Sequence, residues 1–159
     1  MNQFEICLNT SVNGIPFGSE RTAVRAALGS KFEEFKKSKF SKNTTDDFGI
    51  CHVFYSPDDC FDAIEIFPEV TISVDSNIIP LACSSLIAWV KGLDSEAVED
   101  SVGIVSKKFS IGVYAPNQVF ESILFGKQGY YRWLFYREVC SKTIEKELDV
   151  EPENLQEKE

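Results

Sequence analysis

The chain has 159 residues, 43% of them apolar, with 16 basic against 25 acidic side chains and a formal net charge of −9. That leaves room for one domain with a substantial core, and it is too apolar for wholesale disorder. Residues 43–106 hold twelve acidic and one basic side chain, a block that repels phosphate backbones and anionic lipid, so nucleic acid and membranes are not expected partners, whereas basic proteins are.

Around that block the charge reverses, to a net +3 over residues 1–42 and +4 over 107–144, before residues 145–159 return to −5. No stretch reaches the roughly 18–20 apolar residues of a membrane span, and Met1–Cys7 has neither the basic start nor the apolar run of a secretory signal. Cys7, Cys51, Cys60, Cys83 and Cys140 form no Cys-x-x-Cys pair and are odd in number. Free thiols in a reducing, cytoplasmic setting are the simplest expectation.

Residues 3–8 read as a first strand, and Asn13-Gly14 marks a turn. Ser19 is suited to cap a helix over Glu20–Leu28, with Ala23, Val24, Ala27 and Leu28 as its apolar stripe and Gly29 as its stop. The Lys-rich stretch 31–42, with Phe32, Phe35 and Phe40, fits a helix or an edge strand, and Asn43–Asp47 reads as a turn.

Phe48–Tyr55 and Phe61–Phe67 form a predicted β-hairpin about Ser56-Pro57-Asp58-Asp59. Ile50, His52 and Phe54 share one face of its first strand, and Phe61, Ala63, Glu65 and Phe67 one face of the second. Val70–Val74 is a further strand, Asp75-Ser76-Asn77 a turn and Leu81–Leu93 a helix, followed by an acidic connector. Val102–Val105 and Phe109–Tyr114 read as strands, and Val119–Phe125 has no clear period. Trp133, Tyr136, Cys140, Ile144 and Leu148 stripe a long last helix over 131–148. The expectation is one α+β domain over residues 1–150, with a disordered acidic tail at 151–159. It comprises an antiparallel sheet of five to six strands packed with an N-terminal, a middle and a long C-terminal helix.

Motifs for catalysis are absent. The single histidine, His52, lies mid-strand, and there is no Gly-x-Ser-x-Gly elbow, phosphate-cradling glycine loop or Rossmann fingerprint. Asp46, Asp47, Asp58, Asp59 and Asp62 lack the spacing of a calcium loop, and zinc would need more His or paired Cys. No metal, cofactor or enzymatic activity is therefore expected. The candidate partner-binding residues are Asp46, Asp47, Asp58, Asp59, Asp62, Glu65, Glu69 and Asp75, with Tyr55 and Phe61 as aromatic anchors, because exposed aromatics beside charge favour interfaces.

The stretches Asn13–Arg21 (NGIPFGSER) and Thr45–Tyr55 (TDDFGICHVFY) are similar to those of small acidic bacterial immunity proteins of contact-dependent inhibition and related polymorphic toxin systems. The resemblance spans roughly residues 12–115. It implies a cytoplasmic protein that binds a cognate toxin domain one-to-one and occludes its active site; the acidic block would steer it onto a basic, nuclease-type toxin. Two other readings stay open: a small enzyme using His52 with a neighbouring carboxylate or Cys51, and a regulatory subunit of a larger complex.

Overall fold

The computed structural model describes residues 2–132. Thirteen strands and two helices follow in the order β1 (Gln3–Cys7), β2 (Ser11–Val12), β3 (Ile15–Pro16), α1 (Arg21–Leu28), β4 (Glu33–Phe35), β5 (Thr45–Asp47), β6 (Cys51–Tyr55), β7 (Phe61–Ile66), β8 (Thr71–Val74), β9 (Asn77–Ile78), α2 (Cys83–Leu93), β10 (Val98–Asp100), β11 (Gly103–Ser106), β12 (Ile111–Tyr114) and β13 (Ser122–Gly126). A short 3₁₀ turn at Pro116–Gln118 precedes β13.

The described chain is therefore mostly β, in two sheets, not one sheet of five to six strands. The larger sheet has eight strands in the order β10-β11-β12-β13-β7-β6-β5-β4, all antiparallel. The smaller has five, β3-β2-β1-β8-β9, with β1 and β8 parallel and the rest antiparallel. The long C-terminal helix expected over 131–148 and the acidic tail fall, apart from Tyr131 and Arg132, outside the described residues.

Most of the missing strands have a common cause. Segments of two or three residues, such as β2, β3, β5, β9 and β10, are too short to show a period and become strands only because a neighbour pairs with them. β13 is hidden differently: all five of its residues, Ser122 included, are buried, so no exposed face marks an alternation. Of the Lys-rich stretch 31–42 only Glu33–Phe35 forms a strand, the edge strand β4, and its lysines lie outside it.

Alternation sorts the large sheet into two faces. Cys51, Val53, Ile64, Ile66, Ile104, Ile111, Val113, Ile123 and Phe125 point inward. They join one buried cluster with Phe4, Ile6, Ile72 and Val74 of the small sheet, Val24 of α1, and Leu86 and Val90 of α2. The core thus lies between the inner face of the large sheet and the small sheet with both helices. Phe54, Ala63, Val105 and Leu124 point the other way and bury Tyr131 in a second cluster. Gly112 and Gly126 make the floor for two rings there. An added Cβ would strike the Tyr131 hydroxyl at Gly112 and the Tyr130 ring at Gly126.

Two expectations for α1 are corrected. Its N-cap is Glu20 with no side-chain cap bond, and the Ser19 hydroxyl instead donates to the Pro16 carbonyl at 2.6 Å. Ala23 and Ala27 are exposed, while Arg21 and Val24 are the buried residues. A helix that buries an arginine must supply it with acceptors, and this requirement organises the hairpin beside it.

Candidate functional site

The predicted acidic surface divides on folding. Asp46, expected at the surface, is wholly buried on the inner side beneath α1. Its Oδ2 accepts from Arg25 Nε at 2.8 Å and from the Tyr55 hydroxyl at 2.8 Å, while Oδ1 accepts from Arg25 Nη2 at 2.8 Å and Arg21 Nη1 at 3.2 Å. Burial pushes its carboxyl up, but the Arg25 and Tyr55 hydrogen bonds and the Arg21 charge outweigh that and hold it below the ordinary aspartate value. Arg21 also bonds Asp59 at 2.8 Å and lies 3.9 Å over the Tyr55 ring, and Arg25 reaches Glu34 at 2.8 Å. Asp46 thus fastens α1 to β5, and Asp59 and Tyr55 fasten it to the hairpin.

Phe61 is also corrected, because it is fully buried and packs on Phe17 with ring centroids 4.8 Å apart. A register shift explains it: Tyr55 pairs with Phe61 but Phe54 with Ala63, leaving Asp62 as the extra residue of a bulge. The bulge turns Phe61 inward while Ala63, Glu65 and Phe67 stay outward. Asp62 pairs with Lys127 at 2.7 Å, and with Glu65 it raises the half-buried Tyr130 hydroxyl, behind desolvation and Tyr131.

Asp58, Glu69 and Asp75 are exposed but scattered. Asp58 sits at the hairpin turn and Glu69 beyond the far end of β7, roughly 20 Å away along the strand. Asp75 is in the turn between β8 and β9 of the small sheet.

What the fold does assemble is a cluster on the outer face of the large sheet, centred on His52 of β6. Its Nε2 lies 3.6 Å from Asp47 Oδ1 on β5 and its Nδ1 3.7 Å from Glu65 Oε2 on β7, both longer than direct hydrogen bonds. The ring stands edge-on to Phe67 at 4.7 Å, Phe35 at 5.0 Å and Phe54 at 6.5 Å between centroids. Ser122 of β13 donates to Glu65 Oε1 at 2.8 Å. Burial raises the Glu65 carboxyl, yet contact with His52, the charge of Lys37 and the Ser122 bond together hold it below the ordinary value. A partly sheltered anion thus stays ionised among aromatic rings, with the His52 and Glu65 side chains each 23% exposed.

Residues 52, 54, 65 and 67 could be placed together from hairpin alternation. Asp47 was among the predicted partner-binding residues, but Phe35, Lys37, Asp47 and Ser122 arrive from other strands and loops, and no local signal places them beside His52.

The arrangement bears on chemistry in one respect. Cys51 and His52 are neighbours in sequence but on opposite faces of β6, and burial, with Asp47 adding, pushes the Cys51 thiol up to about 12. A Cys51–His52 nucleophile pair is therefore not formed. Cys7, Cys51, Cys60 and Cys83 are free thiols. Among the described residues no three His, Cys, Asp or Glu side chains gather as a metal ion would need, and no helix is long and apolar enough to cross a membrane. Set against family models, curated proteins and solved structures, the chain matches none of them.

Proposed function

We propose that this protein is an immunity-type binding protein that neutralises a basic toxin domain, and that the contact centres on the outer face of the large sheet around His52. The observation that carries the reading is the Asp47–His52–Glu65 row spanning three neighbouring strands, with Phe35, Phe54 and Phe67 beside it. Rigid aromatic area beside fixed negative charge suits the centre of an interface for Lys- and Arg-rich surfaces. Asp58, Glu69 and Asp75, exposed elsewhere, contribute long-range attraction that speeds encounter without fixing the pose.

The test has two stages. Tagged protein captures partners from its native cytosol at low and high salt, and the captured protein is then expressed with and without it. The expected result is one basic partner in a one-to-one complex, whose expression arrests growth unless this protein is present. Asp47→Lys plus Glu65→Lys should abolish both capture and rescue, while Asp58→Lys should weaken capture only modestly. A captured protein with no toxicity, or full rescue by the double variant, would remove the immunity reading.

One observation favours a second reading. A histidine with a carboxylate within 3.7 Å of each ring nitrogen is the residue type general acid–base catalysis uses, so a small enzyme using His52 with Glu65 is the alternative. It requires that His52→Gln abolish a turnover while leaving the complex intact.

A further inference from the structure

Lys37 shows what the outer face accepts. It lies in the connection 36–44, which has neither strand nor helix, and its ammonium sits 4.4 Å from the centroid of the Phe54 ring. Phe54 pairs with Ala63 and His52 with Glu65, so Phe54 and Glu65 are diagonal neighbours on this face, within reach of one long side chain. The Lys37 charge also acts on the Glu65 carboxylate. A phenyl face as floor and an ionised carboxylate as wall are the two parts of an ammonium site, and each attracts the same compact cation.

The Glu65 carboxylate is set in place before any ligand arrives. Ser122 fixes one oxygen and His52 approaches the other, so little ordering is left to do on binding. The lysine that fills the site, by contrast, is carried on the irregular segment 36–44 and not on a strand.

We infer that Phe54 and Glu65 form an acceptor for a lysine ammonium, occupied in the free protein by the chain's own Lys37 and taken over by a lysine of the bound partner. This rests on the reading of the outer face as the contact surface and adds what is recognised there. The internal lysine acts as a competitor at an effective concentration of order millimolar, set by its short tether. It therefore screens out isolated lysines and admits one presented by a surface that also engages Phe35, Phe67 and Asp47.

The probe is Nα-acetyl-lysine methylamide, titrated at low salt and followed by the backbone amide resonances of Phe54, Glu65 and Leu124. The expected result is a saturable shift in Lys37→Gln whose titration midpoint lies at lower probe concentration than in the unaltered protein, and no saturable shift in Lys37→Gln plus Glu65→Gln. Lys37→Met, which keeps the apolar stem, should behave as Lys37→Gln does and guards against a folding defect in either. Equal affinity with and without Lys37, or no shift at these residues in any variant, would overturn the inference. Loss of partner capture on Glu65→Lys together with no lysine binding would overturn the ammonium site while leaving the contact surface standing. Lysine binding without any captured toxin would do the reverse.

Discussion

Replacing Asp46 by Asn tests the claim that this carboxylate is internal scaffolding. The carboxylate receives four donor contacts and no solvent: two from Arg25, one from Arg21 and one from Tyr55. Asparagine fits the space but turns a donor towards Arg25 or Tyr55, and it leaves the nearly buried Arg21 with only Asp59 for charge partner. Breaking a buried pair from one side costs about 3–5 kcal/mol. Arg25 can swing out to Glu34, so the low end applies, about 3 kcal/mol. For a chain of this length that lowers Tm by about 6–12 °C, measurable by circular dichroism at pH 7.

The same substitution fixes the pH dependence. Asp46 titrates lower folded than unfolded, so its contribution is whole above the unfolded value near about 4 and fades as pH falls through the folded one. The gap in Tm between Asp46→Asn and the unaltered protein should therefore narrow as the solution is acidified below about pH 4. It should change little between low and moderate salt, since buried pairs are poorly screened. A drop below about 2 °C at pH 7, or a gap that widens in acid, would refute the reasoning.

Gly112→Ala drives a methyl into the Tyr131 hydroxyl and should cost about 1–3 kcal/mol. Adding Tyr131→Phe should return a good part of that loss in a double-mutant cycle by urea denaturation, and strict additivity would show that the two groups do not meet. Alkylation with iodoacetamide at pH 8, mapped by mass spectrometry, should modify exposed Cys7 readily and leave Cys51 unmodified in the native state, because its thiol is buried and shifted up to about 12. Rapid labelling of Cys51 would place β6 the other way round.

The sequence by itself determined the elements whose pattern is local. Alternation along the hairpin places His52 and Phe54 on one face and Cys51 and Val53 on the other, as observed, whereas Ile50, expected beside His52, lies before β6 and packs on the inner core. Residues 83–93 form a helix within the predicted span, and Gly29 ends α1 with a φ of 123°, a conformation glycine tolerates. The concentration of acid in residues 43–106 is likewise plain from the chain alone.

Which acids are surface and which are structural was decided only in three dimensions. Asp46 and Asp47 are adjacent and chemically alike, yet β5 turns one into a cage of two arginines and a tyrosine and the other out beside His52. Phe61 lost its expected place on the outer face because one extra residue in β7 reverses alternation, and only the register against β6 reveals that. The parallel pairing of β1 with β8, about 68 residues apart, and the recruitment of two- and three-residue segments into sheets follow from backbone groups finding partners far along the chain. Local side-chain pattern has no access to such partners. For the same reason the row Asp47–His52–Glu65–Ser122, drawn from four strands, exists only in the folded protein.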